Sequence, residues 1–132
     1  MIDLLNNGIS HLGCQALGNT LRSLGNQSLL RQLLLDHNPL RDEGMKALSV
    51  GLRQSQTLEE LSLNFCGLEE QSVGPIQQIL TYVKGRILKL NLQGNFLGEK
   101  GCLQILRALV NNKTLKEINL SDNQIVETEA FQ

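Results

Sequence analysis

Residues 87–109 (ILKLNLQGNFLGEKGCLQILRAL) repeat the pattern of residues 30–52 (LRQLLLDHNPLRDEGMKALSVGL) position by position. In each stretch, apolar residues alternate on the way to an asparagine, which is Asn38 in one and Asn95 in the other. A glycine follows six positions later, and aliphatic residues then recur at every fourth position. Alternation is typical of a strand, and four-residue spacing is typical of a helix. Each stretch therefore predicts a strand, a turn and a helix.

The same pattern occurs, whole or in part, five times along the chain. Its anchor positions are separated by 31, 28, 29 and 28 residues, a spacing that is too regular for a chance motif. We therefore predict one domain over residues 1–132, with about four and a half repeats. The anchors are Asn7, Asn38, Cys66, Asn95 and Asn123.

Two copies depart from the pattern. The first has about three extra residues around positions 23–28, which we interpret as a longer loop between helix and strand. The third has Ser72 in place of the glycine, with Gly74 and Pro75 inside the helical segment. Because proline is tolerated in the first turn of a helix, this helix should begin late, near Gly74, and end near Tyr82. The other helices should begin near Asp42 and Glu99 and end near positions 54 and 111.

Composition excludes several classes of protein. Leucine accounts for 28 of the 132 residues, aromatic residues for only 3%, and the formal net charge is -1. The hydrophobic content of 41% is too high for a disordered chain. No apolar stretch approaches the roughly 18 residues that span a bilayer. The near-zero charge gives no reason to expect nucleic acid, acidic lipid or membrane insertion.

The anchor asparagines have a structural explanation. The backbone must bend after each strand, which leaves peptide groups without partners inside the stack. An amide side chain can both donate and accept hydrogen bonds, so successive anchors should form a ladder through the repeats. Cys66 can fill the same volume with a weaker S–H donor.

The motif L-x-x-L-x-L-x-x-N-x-L-x-x-x-G-x-x-x-L-x-x-x-L resembles the ribonuclease-inhibitor type of leucine-rich repeat. Residues 112–125 (NKTLKEINLSDNQI) are also similar to the repeats of NOD-like receptors. The resemblance covers nearly the whole chain. It implies an α/β fold, a right-handed solenoid with a parallel sheet on its concave face and helices on its convex face.

Little in the sequence suggests catalysis. Cys14, Cys66 and Cys102 are predicted to lie in different repeats as reduced core residues, which favours a cytoplasmic, reducing location. His11 is expected in a loop before the first helix and His37 just after the second strand, so they share no site. The sequence shows no recognised nucleophile–base pair, zinc spacing or phosphate loop. We therefore predict no enzyme activity, metal or cofactor.

The concave face is the predicted binding surface, because residues between the core leucines point away from the helices. Five carboxylates and one ammonium on this face would give it a charge of about -4. Half-exposed apolar residues, among them Phe96, interrupt the polar pattern, as in protein interfaces. The predicted protein-binding residues are Asp3, Leu5, Gln32, Leu34, Asp36, His37, Glu60, Asn64, Phe65, Lys89, Asn91, Gln93, Glu117, Asn119 and Asp122.

These observations predict a non-catalytic scaffold that binds a partner protein on the concave face. Two alternatives remain open. Similar repeats occur in Ran GTPase-activating proteins, which would make the chain a regulator of a small GTPase. It could instead be a structural segment of a larger cytoskeletal, ciliary or innate-immune receptor assembly.

The two ends of the sequence leave a further question open. The first repeat lacks its leading leucine, and the last stops partway through its expected helix. Because a repeat array needs polar caps, the chain could be part of a longer array. It could also be a short protein that associates end to end through uncapped termini, or an array that is stable with modest caps.

Overall fold

The computed structural model describes residues 1–25 and 28–124. Its strands form a parallel sheet in the order of the chain, β1 to β5. Leu33 of β2, Leu61 of β3, Leu90 of β4 and Ile118 of β5 pair in one register. The strands are β1 (Ile2–Asp3), β2 (Gln32–Leu34), β3 (Glu60–Ser62), β4 (Lys89–Asn91) and β5 (Glu117–Asn119).

A helix follows each of the first four strands and leads into the next one. This succession of parallel strands and helices is an α/β solenoid, which confirms the predicted fold class. The helices are α1 (His11–Leu24), α2 (Arg41–Leu52), α3 (Val73–Thr81) and α4 (Gly98–Ala108). Short 3₁₀ turns, Glu70–Ser72 and Leu109–Asn111, precede α3 and follow α4.

Three local predictions can be compared with these boundaries. Helix α3 begins at Val73, which places Pro75 in its first turn, as predicted. His11 is the first residue of α1 and not a loop residue, so that prediction was wrong. Part of the extra length in the first repeat extends α1 to Leu24, because the helix simply continues through residues predicted as loop. Positions 26–27 and 125–132, including part of the predicted loop and fifth helix, lie outside the described residues.

The core is aliphatic and continuous from repeat to repeat. Leu33, Leu61 and Leu90 are almost fully buried between sheet and helices, as are Leu48 and Ile105 from the helix layer. Each strand offers only a narrow apolar face, so a repeat buries its leucines only when neighbouring repeats are present. None of the helices in the described part of the chain is long and apolar enough to cross a membrane.

The anchor side chains form the expected ladder. Asn95 Oδ1 accepts hydrogen bonds from the backbone N–H groups of Cys66 (3.0 Å) and Leu68 (3.1 Å) in the preceding repeat. Its Nδ2 donates to the carbonyl oxygens of Leu63 (2.9 Å) and Leu92 (3.0 Å). Asn38 makes the equivalent contacts with the first repeat, and Asn123 Nδ2 donates to Leu92 and Leu120. The Cys66 Sγ lies 3.2 Å from the Leu35 carbonyl, so the thiol replaces the amide as a donor only.

Candidate protein-binding surface

The sheet face opposite the helices carries the predicted binding residues in parallel rows, and we call it the sheet face. One row runs through Gln32, Glu60, Lys89 and Glu117, and the next through Asp3, Leu34, Ser62, Asn91 and Asn119. All fifteen predicted residues are at least partly exposed. The structure therefore brings them onto one surface, and their role in binding stays a prediction.

Hydrogen bonds between rows hold many of these side chains in place. Asp36 Oδ1 accepts from the Ser62 hydroxyl (2.6 Å) and from the Asn64 backbone N–H (2.9 Å). Asp36 Oδ2 accepts from Asn64 Nδ2 (3.2 Å), and Asn64 Oδ1 accepts from the Gln93 backbone N–H (2.8 Å). Asp36 therefore belongs to a hydrogen-bond network that joins neighbouring repeats, whereas the sequence analysis treated it only as a charge available to a partner.

A column of left-handed backbone runs along the edge where the strands end. The residue before each anchor has a positive φ between 54° and 73°. Asparagine, aspartate and glycine accept this conformation readily, but a bulky aromatic side chain does so at a cost. The members of the column are Asn6, His37, Phe65, Gly94 and Asp122.

Phe65 lies between its two neighbours in this column. Its ring stacks on the imidazole of His37, with centroids 4.9 Å apart and planes 7° from parallel. On the other side, a Cβ added to Gly94 would lie only 2.1 Å from Phe65 Cε1, so the ring needs a glycine there. The contact between His37 and Phe65 was not predicted. The sequence could have indicated this contact, because each of the two residues directly precedes an anchor and they therefore occupy equivalent positions in neighbouring repeats.

Apolar side chains are exposed beside this stack. The exposed fraction of Phe65 is 44%, that of Phe96 is 49% and that of Leu5 is 43%. Leu34 was also predicted to be exposed, and in the structure it is half-buried. The patch joins aromatic and aliphatic surface to the carboxylates of the sheet face, a mixture common in protein interfaces.

The two edges of the sheet carry opposite charge. The edge where strands end and helices begin is called the acidic edge. Beyond the last strand residues it has, in the described part of the chain, seven carboxylates against the cations Arg41 and Lys100. Acids there suit the positive ends of the helix dipoles. Asp42 also accepts hydrogen bonds from the Glu69 backbone N–H (2.8 Å) and the Ser72 hydroxyl (2.5 Å). The acids of this edge are Asp36, Asp42, Glu43, Glu69, Glu70, Glu99 and Asp122.

The opposite edge, where helices end and strands begin, is basic. Among the described residues, this basic edge has eight cationic side chains and one carboxylate, Glu59, before the strands begin. Glu60, Lys89 and Glu117 follow as the first residues of β3, β4 and β5. The predicted acidic residues remain on the sheet face. The structure also separates the charges along the strand direction, between the two edges. The cations are Arg22, Arg31, Arg53, Lys84, Arg86, Arg107, Lys113 and Lys116.

The ionisable groups of the core are thiols. Cys14, Cys66 and Cys102 are buried and unbridged. Burial raises the pKa of Cys14 to about 11 and that of Cys66 to about 12, because an apolar interior disfavours a thiolate. Among the described residues, no group of three His, Cys, Asp or Glu side chains is placed to hold a metal ion. His11 Nδ1 lies 3.8 Å from Glu43, and His11 and His37 line the same open depression of the surface.

Comparisons with known proteins agree with this architecture. A family model described as "Leucine Rich repeat" matches residues 26–49, 54–71 and 111–127. The C-terminal domain of tropomodulin from Caenorhabditis elegans superposes with a TM-score of 0.72 at 19% identity. That match covers 84% of this chain and 65% of the other, and at this identity it concerns the fold alone.

Sequence relatives define the class of repeat. The ribonuclease inhibitor of Mus musculus is 41% identical over 101 residues, which is 76% of this chain and 21% of the inhibitor. The ribonuclease inhibitor of Sus scrofa is 34% identical over 84% of this chain. NACHT, LRR and PYD domains-containing protein 3 of Rattus norvegicus is 37% identical over 74% of this chain.

The chain is a leucine-rich-repeat protein of the ribonuclease-inhibitor and NOD-like-receptor repeat subclass. This confirms the resemblance found in the motif. The chain spans 21–24% of the length of the ribonuclease inhibitors and 9% of the rat NACHT protein.

Proposed function

We propose that this chain is a non-catalytic scaffold that binds a partner protein on its sheet face. The family supports a role in protein–protein interaction, and the name of its ribonuclease-inhibitor relatives describes inhibition of another protein. The carboxylates of the sheet face favour a partner with basic or mixed charge. Hydrogen bonds between the rows hold the binding side chains before a partner arrives, which lowers the entropy cost of association.

Phe65 is the observation on which this proposal rests. A phenylalanine with a φ of 55° pays a conformational cost, yet 44% of the residue remains exposed to water. Burial of Phe65 therefore stabilises the fold less than burial of a phenylalanine in the core would. A rigid, half-exposed aromatic ring surrounded by polar side chains is the typical anchor of a binding interface.

The test compares two variants that remove similar amounts of exposed apolar surface. Phe65→Ala removes the ring from the sheet face, and Leu106→Ala removes a side chain from α4 that has the same exposed fraction, 44%. We expect a partner recovered with the wild-type chain to bind the Phe65 variant at least about 30-fold more weakly, since removal of an anchor residue costs about 2 kcal/mol or more. Binding by the Leu106 variant should change less than about twofold.

The affinity of each recovered partner would be measured by calorimetry, with a ribonuclease included because of the relatives' names. A second variant, Glu117→Lys, reverses an exposed charge outside the Asp36 network and should weaken a basic partner in a salt-dependent way. Equal affinities for wild type, Phe65→Ala and Glu117→Lys across all recovered partners would rule out the sheet face as the binding surface.

A second candidate is a role as one segment of a larger assembly. Its support is the length of several relatives. The chain covers 9% of Capping protein, Arp2/3 and myosin-I linker protein 2 of Mus musculus, at 31% identity. A complex formed only by the longer parent protein, and unaffected by Phe65→Ala, would favour this role.

We also propose a reducing, cytoplasmic location. Its support is the burial of all three thiols as core residues in separate repeats. Imaging of the tagged full-length protein together with an endoplasmic-reticulum marker tests it, and overlap with that marker would contradict it.

A further inference from the structure

The basic edge carries charge that the fold does not use. All eight of its cationic side chains are exposed. In the described part of the chain, one salt bridge joins them to a carboxylate, that of Arg31 Nε with Glu59 at 3.8 Å. Helix dipoles explain cations in the last helical turn, such as Arg22 and Arg107. They do not explain the cations in the loops, which lie beyond the helix ends.

The same edge carries the most exposed large aliphatic residues. Val83 has an exposed fraction of 92%, Leu29 of 85% and Val110 of 82%, the highest of the large apolar side chains described. Each lies between the end of a helix and the start of the next strand. They belong to three different repeats, so the edge has protruding apolar tips at intervals among its cations. Single exposed apolar residues are ordinary, but their concentration on the one cationic edge is not.

We propose that the basic edge docks on an anionic phospholipid membrane, with the aliphatic tips at the level of the headgroups. Lysine and arginine near an anionic leaflet are attracted to it, and adjacent apolar side chains add to binding by partial burial. The net charge of -1 by itself predicts no such attraction, because it hides a separation of charge that arises when the repeats stack. This proposal is independent of partner binding on the sheet face.

The distribution of the residues favours a membrane over an acidic protein segment. Arg22, Arg31 and Arg86 line one cavity of about 410 Å³. The other five cations are spread over the ends of three repeats. Lipid headgroups can rearrange to match such a spread, whereas a protein partner needs fixed complementarity. Val83 and Val110 protrude, and a protein interface usually places its apolar anchors in receiving pockets.

The experiment measures co-sedimentation of the chain with vesicles. One set contains phosphatidylcholine alone, and the other contains phosphatidylcholine with about one third phosphatidylserine. We expect binding to the anionic vesicles only, weakened as salt is raised, since the Debye length falls from about 10 Å at 0.1 M to about 3 Å at 1 M. Lys84→Glu with Lys113→Glu should weaken binding by about tenfold or more.

The matched control is Lys46→Glu with Lys100→Glu, which makes the same change in net charge away from the basic edge, in the middle of α2 and at the start of α4. Binding of this variant should change less than about threefold. Val83→Ser with Val110→Ser should weaken vesicle binding but leave the weak electrostatic attraction to polyglutamate unchanged. All six positions are exposed, and circular dichroism checks that each variant is folded.

Three outcomes would overturn the proposal. The first is equal binding, or equal absence of binding, with the two kinds of vesicle. The second is equal loss in the two lysine variants. The third is tight binding to polyglutamate that is indifferent to the valine changes, which would assign the edge to an acidic protein segment. Loss of vesicle binding in Phe65→Ala is not expected, so a failure here is distinguishable from a failure of the sheet-face proposal.

Discussion

Replacement of Asn95 by alanine should destabilise the chain far more than the loss of one polar side chain suggests. The amide serves five backbone groups. Two of them keep another partner, because the Leu92 carbonyl also accepts from Asn123 Nδ2 (2.8 Å) and the Gln93 carbonyl from the Phe65 N–H (2.8 Å). The variant therefore leaves the N–H groups of Cys66 and Leu68 and the carbonyl of Leu63 without this partner. All three groups lie in the buried turn region between neighbouring repeats.

The size of the effect follows from these three groups. A buried group that loses its partner costs about 1–3 kcal/mol, so with three such groups Asn95→Ala should lower the free energy of unfolding by about 3–9 kcal/mol. Natural domains are stable by only about 5–15 kcal/mol, so the variant should be close to unfolded at ambient temperature. Urea denaturation followed by circular dichroism measures the difference.

Asn91→Ala is the matched control for this measurement. Asn91 is the same residue type and lies on the sheet face in β4, four residues before Asn95. Its side chain makes a single long hydrogen bond, 3.4 Å to the Ser62 hydroxyl. Its replacement should cost less than about 1 kcal/mol. The reasoning is refuted if the two variants differ by less than about 1 kcal/mol, because the anchor would then not satisfy the turn between repeats.

Two further predictions concern packing and pH. Gly18→Ala should lower the free energy of unfolding by about 1–3 kcal/mol, because the new Cβ would lie 2.2 Å from the Ala47 carbonyl oxygen of α2. Gly74→Ala should be neutral or stabilising, because a Cβ there would have no neighbouring atom within 4 Å. Thermal unfolding of the two variants measures the difference, and equal shifts would contradict this reasoning. Stability should fall as the pH rises above about 9, by at most about 1.4 kcal/mol per thiol and pH unit, because unfolded thiols ionise while Cys14 and Cys66 stay protonated. Urea titrations at pH 8 and pH 10 measure this, and a Cys14→Ala variant with an unchanged slope would speak against it.

The sequence could predict the positions that follow the repeat pattern. Anchor spacing placed every strand of the described chain, and Pro75 located the start of α3 within one residue. The end of α1 could not be predicted as well, because residues 23–25 suit a helix and a loop about equally and only packing decides where the helix stops. The stack of His37 and Phe65 follows from the register, but its geometry depends on the room that Gly94 leaves.

By itself, the sequence determined the repeat, its aliphatic core and the family, because a period of about 28 residues constrains every copy to the same strand, turn and helix. Tertiary structure decided what the surface presents. Parallel strands bring all helix starts to one edge and all helix ends to the other, so charges that cancel along the chain separate in space. The same stacking turns Asp36 from a surface charge into a hydrogen-bond acceptor for Ser62 and Asn64. These properties depend on distances between repeats, which no single repeat encodes.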